Sequence, residues 1–339
     1  MRMLSWLYGC LAAQRRSWHT SRPEFQRHLR QPVISIGALS VGGSGKTPVV
    51  RCITELLIRN GERPALLSRG YGRSIRLDGV VVVSDGKKIL ADLPIAGDEP
   101  LMLAERLMSA RVLVADDRFL AGSLAENRLD ASVHVLDDGF QYLSLARDID
   151  VIVIGESDLD DERTLPFGPL RERLTTASLA DALIIETPSS EELTAVSERF
   201  GVQNCFRLVR HFDAPVTMTS EGMQPGARVF VVTGIARPFR FISGVLAAGF
   251  EIAGTMEFRD HHRFSLKDVD RIVARAKSLD AEFVLTSEKD IVRLKPYEPF
   301  EFPLAWLPLR VTIEPASQFE RWLIETISET RSFPASNAC

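Results

Sequence analysis

Short apolar runs alternate with amphipathic stretches along most of the chain. Val33 to Ile36, Ala65 to Ser68, Val80 to Val83, Arg111 to Ala115, Val133 to Leu136, Val151 to Ile154 and Leu183 to Ile185 have the length and Val/Ile/Leu content of strands. Between several of them, Val49 to Arg59, Glu99 to Met108 and Glu191 to Phe200 carry the spacing of helices. Apolar strands separated by helices predict a parallel sheet covered on both faces. Asp85-Gly86 predicts a small hairpin over Val80 to Leu90, an insertion outside that sheet. A second α/β set begins near Arg228, with strands at Val229 to Thr233, Ile252 to Glu257 and Phe283 to Thr286 and helices at Arg240 to Ala248 and Leu266 to Leu279. The polar stretch Ser220 to Gly226 marks the expected boundary, giving domains at 31–222 and 223–330, with the final helix free to pack back on the first.

Composition leaves this picture unchanged: 339 residues with 45% hydrophobic and 25% charged content make an ordinary globular chain. A net charge of −4 gives no reason to expect nucleic acid, and no obligate protein partner is implied. The charge is uneven, however. Residues 1–30 hold six arginines against Glu24 alone, a side-chain charge of +5 that leaves −9 for the rest. Met3, Leu4, Trp6, Leu7, Tyr8 and Leu11 lie in the same segment at helical spacing, too short a run to span a bilayer. Two readings stay open for it: a helix packed on its own domain, or an interfacial helix with arginines on anionic head groups. Cysteines 10, 52, 205 and 339 show no CxxC spacing, which fits a reducing compartment and argues against a zinc site.

The most informative run is SVGGSGKTP at 40–48, set between an apolar strand and a helix. Glycines 42, 43 and 45 let backbone N–H groups turn inward around a phosphate, Lys46 supplies a point charge, and the Thr47 hydroxyl can ligate Mg²⁺. Ser40, Val41, Gly42, Gly43, Ser44, Gly45, Lys46 and Thr47 are therefore the expected nucleotide-binding residues, although the usual GxxxxGKT pattern wants glycine where Ser40 stands. Val133 to Leu136 ends in Asp137 and Asp138, the strand-end acids that meet a phosphate-loop metal in such proteins. Asp98 opens a helix and could be no more than a cap, and His261 and His262 alone are weak evidence of a site.

Taken in order, SVGGSGKTP, LSRGYGR at 67–73, GDEP at 97–100, LDDGFQ at 136–141, LPFGPLRE at 165–172, TGIARPFRF at 233–241, FRDHHRFS at 258–265 and LTSEKDIVRL at 285–294 resemble the tetraacyldisaccharide 4'-kinases of lipid A biosynthesis. The resemblance implies a phosphate-loop α/β domain plus a smaller α/β domain, with the active site between them. It implies transfer of the ATP γ-phosphoryl group, with Mg²⁺, to the 4'-hydroxyl of an acylated glucosamine disaccharide 1-phosphate lipid. The place would be the cytoplasmic face of the bacterial inner membrane, to which the enzyme is peripheral. Residue by residue, it implies that Lys46 and Thr47 serve the phosphates and Mg²⁺, that Asp137, Asp138 and Glu172 form the metal and acidic cluster, and that Asp98 with His261 is the base dyad. Arg171 or Arg69 would stabilise the transferring charge. A domain boundary between Asp98 and His261 suggests that closure on both substrates assembles the pair. Gly37-Ala38 and SVGG depart from the family's usual GN and TVGG. The rival reading is a membrane-associated nucleotide-switch ATPase of the partitioning type, whose loops carry lysine before the double glycine where this chain has Val41.

Overall fold

The computed structural model describes residues 2–43, 45–187, 189–218 and 222–332, which form two α/β units. The larger is a nine-stranded sheet built on β1 (Val33–Gly37), β2 (Pro64–Ser68), β3 (Val81–Asp85), β4 (Arg111–Val114), β5 (Val133–Asp137), β6 (Ile149–Ile154), β7 (Ala182–Ile185), β8 (Cys205–Phe212) and β14 (Leu309–Glu314), in the order β14-β8-β7-β6-β1-β5-β2-β4-β3. The seven inner strands are parallel, and the two edges, β3 and β14, run antiparallel to their neighbours. The smaller sheet joins β9 (Val216–Thr217), β10 (Arg228–Thr233), β11 (Glu251–Glu257), β12 (Phe283–Ser287) and β13 (Leu304–Leu307) in the order β11-β10-β12-β13-β9.

Strand β1 is central because its side chains are buried on both faces, with Ile34 and Ile36 to one side and Val33 to the other. The helices are α1 (Arg2–Thr20), α2 (Lys46–Arg59), α3 (Leu93–Ala96), α4 (Asp98–Arg106), α5 (Arg118–Arg128), α6 (Ser190–Phe200), α7 (Pro238–Ala247), α8 (Leu266–Ser278), α9 (Glu288–Leu294) and α10 (Ala316–Ser332). Val49, Val50, Ile53 and Leu57 of α2 pack with Ile34 and Ile36, while Phe319, Leu323 and Ile327 of α10 extend the same core. Each such side chain contributes about 1.5–3 kcal/mol on burial. That core continues across the two units, through Leu103 of α4 to Ile291, Val292 and Leu294 of α9. The contact between the sheets is thus apolar packing as well as charge.

Two expectations are corrected. Residues 80–90 are not an insertion: β3 pairs antiparallel with β4 and closes one edge of the main sheet. The division at 222/223 moves, since β9 already belongs to the smaller sheet, whereas β14 and α10 return to the larger one. The smaller unit is therefore an insertion between β8 and β14. Helix α5, capped by the Asp117 side chain on Phe119 and Leu120 N–H, has no counterpart in the helices expected from periodicity.

Helix α1 lies on the larger unit through one narrow face. Ser5, Gly9 and Arg16 are buried, while Met3, Leu4, Trp6, Leu7 and Leu11 are exposed, Met3 and Trp6 by 76% and 63%. Thr164 donates its hydroxyl to the Ser5 carbonyl, and a Cβ at Gly9 would press on Arg173 and Thr164. Among the described residues no helix is long and apolar enough to cross a membrane.

Candidate active site

The phosphate loop runs from the end of β1 to the start of α2. Gly42, Gly43 and Gly45 take φ of 69°, 62° and 80°, the left-handed region that a side chain disfavours. Ser40 has no such conformation, so glycine is not required there, and serine does something else: its hydroxyl donates to Asp158 at 2.9 Å, fully buried. The loop is anchored further where Val41 N–H donates to the Pro169 carbonyl and Arg171 N–H to the Leu39 carbonyl. Ser44 lies outside the described residues. Thr47 is in the first turn of α2, whose opening N–H groups lack intrahelical partners and so suit an anion.

Strand β5 delivers Asp137 and Asp138 beside the loop, because β5 pairs directly with β1 and places Asp137 opposite Ile36. Asp138 holds two cations, Lys46 at 3.3 Å and Arg171 at 2.6 Å. Burial raises its carboxyl, but Lys46 and Arg171 outweigh that and hold it below the usual range. Asp137 is the opposite case. Burial first, then the charges of Glu99 and Asp138, push it up to about 7 against the pull of Lys46 and Arg118. A buried carboxylate among carboxylates is a place where a divalent cation relieves repulsion. Among the described residues no three His, Cys, Asp or Glu side chains gather into a cage, so a metal here would need oxygens from elsewhere, as phosphates supply.

Glu172, expected in the metal and acidic cluster, is engaged by an arginine in this structure. Arg16 of α1 reaches it with two hydrogen bonds, Nε to Oε2 at 2.6 Å and Nη2 to Oε1 at 2.7 Å, and Gln141 donates to Oε1 at 3.2 Å. The same guanidinium donates to the Phe140 carbonyl and lies 4.0 Å over the Phe140 ring. Glu172 thus anchors the N-terminal helix behind the acidic loop. Arg69 is also displaced from the expected role, being largely exposed and 3.8 Å from Asp116.

The histidine ambiguity resolves. His261 Nδ1 lies 2.9 Å from Asp98 Oδ2, whereas His262 bonds Asp268 and stacks on Phe258. Asp98 sits at the start of α4 and His261 in the loop after β11, so the dyad bridges the two units. The pair is assembled in this structure, at hydrogen-bond distance across the two units. Gly72 makes room, since a Cβ there would come within 3.2 Å of Asp98, and the Tyr71 ring packs edge-on against His261.

Helix α9 supplies the residues that sequence reasoning missed. Lys289 Nζ is 2.9 Å from His261 Nε2 and 3.0 Å from Glu99. Burial lowers its pKa, but Glu99, Asp98 and Asp260 more than compensate, keeping it a charged donor. An ammonium can only donate, so Nε2 must accept, and the imidazole proton falls on Nδ1, facing Asp98. Arg293 adds a further charge 3.5 Å from Asp98. Burial raises Asp98, yet the hydrogen bond from His261 and the charges of Lys289 and Arg293 prevail, and its carboxyl stays below the usual range. The adjacent Glu288 accepts from Arg51 of α2 and Arg106 of α4, so one helix grips both the dyad and the phosphate-loop helix. The signal available in sequence was the string SEKDIVR itself, in which charges interrupt an apolar run.

A family model described as LpxK, tetraacyldisaccharide-1-P 4'-kinase, matches residues 1–328. The chain belongs to this kinase family. It is 35% identical over 312 residues to the tetraacyldisaccharide 4'-kinase of Desulfotalea psychrophila, covering 89% of this chain and 88% of that one. The same-named protein of Nitrobacter winogradskyi is 37% identical over 332 residues, covering 96% and 92%. A solved LpxK of Aquifex aeolicus, crystallised in complex with ATP, superposes with a TM-score of 0.77 at 29% identity over 96% of this chain and 97% of that one. The chain is accordingly an ATP-dependent kinase of lipid A biosynthesis, and the partitioning-type switch is set aside.

Proposed function

We propose that the γ-phosphoryl group of ATP is transferred in line to the 4'-hydroxyl of a tetraacylated glucosamine disaccharide 1-phosphate in the space between the phosphate loop and the Asp98–His261 pair. The observation that carries this is the Asp98–His261 dyad, which bridges the two units and is tied through α9 to the helix that starts at Lys46. Residues 41–43 and 45–47 would hold the phosphates, and Lys46 would supply positive charge to their β and γ oxygens. Mg²⁺ would neutralise charge on those oxygens, and Thr47 and Asp137 are the groups that would hold it. Asp138 keeps Lys46 and Arg171 aligned on the transferring group.

Asp98 accepts the hydrogen bond of the sugar hydroxyl and takes its proton as the new P–O bond forms and the bond to ADP breaks. A carboxylate held below the ordinary range is a weak base, but a loose phosphoryl transition state asks for orientation before basicity. The Nδ1–H of His261 fixes which lone pair Asp98 presents.

We further propose that the substrate is reached from the cytoplasmic face of the inner membrane, with α1 at the interface. Its outward Met3, Leu4, Trp6, Leu7 and Leu11, joined by the stacked Trp18 and Phe25, form an apolar face in a segment of charge +5. The deciding experiment is ATP turnover with and without a detergent-dispersed acylated disaccharide 1-phosphate. Acceptor-dependent turnover, lost in a folded Lys46→Ala protein, is expected; acceptor-independent hydrolysis would overturn the reading.

A further inference from the structure

A second arginine lies against the phosphate loop from the smaller unit. Arg237 precedes α7 in the loop after β10, and its side chain crosses Gly43: a Cβ on that glycine would meet Arg237 Cγ at 2.9 Å and Nε at 3.0 Å. Ala236 similarly covers Gly42 at 3.7 Å. Gly43 is therefore required twice, by its φ of 62° and by the arginine stem.

The guanidinium is held but not satisfied. Its Nη1 is buried and has no hydrogen-bond partner among the described residues. Asp158 is the neighbouring anion, yet its Oδ1 stands 3.7 Å from Nη2, beyond hydrogen-bond reach, and is likewise without a partner. Asp158 itself is fixed by the Ser40 hydroxyl at 2.9 Å and the Gly155 N–H at 3.0 Å on its other oxygen. A guanidinium with a buried, idle donor next to a phosphate loop is short of one anion.

Its side of the loop is informative too. The 233–237 loop is bonded to the histidine loop, since His261 N–H donates to the Gly234 carbonyl and Arg293 reaches the same carbonyl at 3.0 Å. Arg237 and His261 therefore belong to two loops of the smaller unit that are bonded to each other. The group in flight between nucleotide and acceptor would lie between those loops and the phosphate loop.

Resting on the kinase reading above, we infer that Arg237 is a catalytic arginine, donated by the smaller unit to the transferring end of the triphosphate, and that Asp158, keyed by Ser40, is its positioning residue. This gives Ser40 a purpose where a glycine would give none. Arginine suits the task because its planar fork binds phosphoryl oxygens in pairs, which lysine cannot do.

The test uses the full chain and the variants Arg237→Ala, Arg237→Gln and Arg237→Lys, each first shown to melt cooperatively; Arg237→Gln keeps the stem against Gly43 and decides if the alanine variant does not fold. Loss of one donor to a developing charge predicts a fall in kcat of about 10²–10³. Calorimetric titration without acceptor should show a non-hydrolysable ATP analogue weakened about tenfold or more, with ADP changed by less than about threefold. Lysine should fail to restore kcat, while added guanidinium ion at millimolar concentration should recover part of it in Arg237→Ala. Asp158→Asn should lower kcat by a smaller factor, with no guanidinium rescue. Equal weakening of ADP and the ATP analogue would move Arg237 off the transferring end, and unchanged kcat and binding would remove it from the site. Wild-type protein that turns over no ATP with acceptor would instead sink the kinase reading itself.

Discussion

The Arg16–Glu172 pair permits a quantitative test of how the N-terminal helix is held. Both side chains are less than a tenth exposed, at 8% and 7%, and two hydrogen bonds of 2.6 and 2.7 Å join them. Removing one member of such a buried pair leaves the other charge uncompensated, at a cost of about 3–5 kcal/mol. Arg16→Met also gives up the Phe140 carbonyl bond and the cation over its ring. The remaining attachments of α1 include the Thr164 hydroxyl on Ser5, the close seat of Gly9, the Arg173 contact to Cys10 and the Arg15 bond to the Gln141 carbonyl. The loss should therefore fall mainly on local docking, raising the open population of α1 by roughly 10² or more, at 1.4 kcal/mol per factor of ten. Amide hydrogen exchange over residues 6–17 is the assay. Glu172→Gln should produce the same loosening, while Arg16→Met with Glu172→Leu together should recover much of it, since an apolar pair leaves no orphan charge. Protection unchanged by either single substitution would refute the reasoning. Intact protection in Glu172→Gln with a raised Mg²⁺ requirement would restore Glu172 to the metal.

Asp98→Ala and His261→Ala should each lower turnover by about 10²–10⁴, and the double variant should be little worse than the worse single one; multiplying losses in steady-state kinetics would separate the two residues. Because the folded Asp98 carboxyl lies below its unfolded value near pH ~3.9, its contribution to stability is present above that pH and is lost as pH falls through the folded value. The stability gap between wild type and Asp98→Asn in chemical denaturation should accordingly be constant at neutral pH and narrow below about pH 4; a gap that widens on acidification would contradict the geometry. Sedimentation with anionic vesicles should weaken at high salt or when Trp6 and Leu7 become Ser, each basic residue near the surface being worth about 1 kcal/mol. Equal binding by a variant lacking residues 1–20 would move the membrane contact elsewhere.

How much of this was legible follows from what each residue's neighbours are. The strand-loop-helix unit around Lys46 could be read directly, because β1, the loop and α2 are consecutive and their chemistry is local. Strands β8 and β14 could not: β8 interleaves Arg207 and Arg210 with Phe206, Leu208 and Val209, and β14 lies at the sheet edge, so neither reads as a continuous apolar run. Asp98 and His261 are 163 residues apart and were joined by resemblance, since no periodicity couples a helix start to a distant loop. Glu172 shows the limit of composition. A carboxylate beside a phosphate loop suggests a cation, and here that cation belongs to an arginine 156 residues upstream. The roles of Lys289, Arg293 and Arg237 depend on which loops meet across two sheets, information that only the assembled fold contains.

The return of the chain to its first sheet has a consequence for how such an enzyme could arise. Strands β8 and β14 pair antiparallel from Leu309 opposite Phe212, and at the point where the smaller unit leaves and re-enters, the Asp213 N–H already donates to the Pro308 carbonyl. The two crossings are thus neighbours, closed like the neck of a hairpin. An ancestral nucleotide-binding sheet needs only a tight turn at that neck to be complete, and splicing a module into the turn would leave its strand order untouched. What such a graft brings is a second set of polar groups beside the nucleotide loop: the histidine, the lysine behind it, and an arginine laid across Gly43.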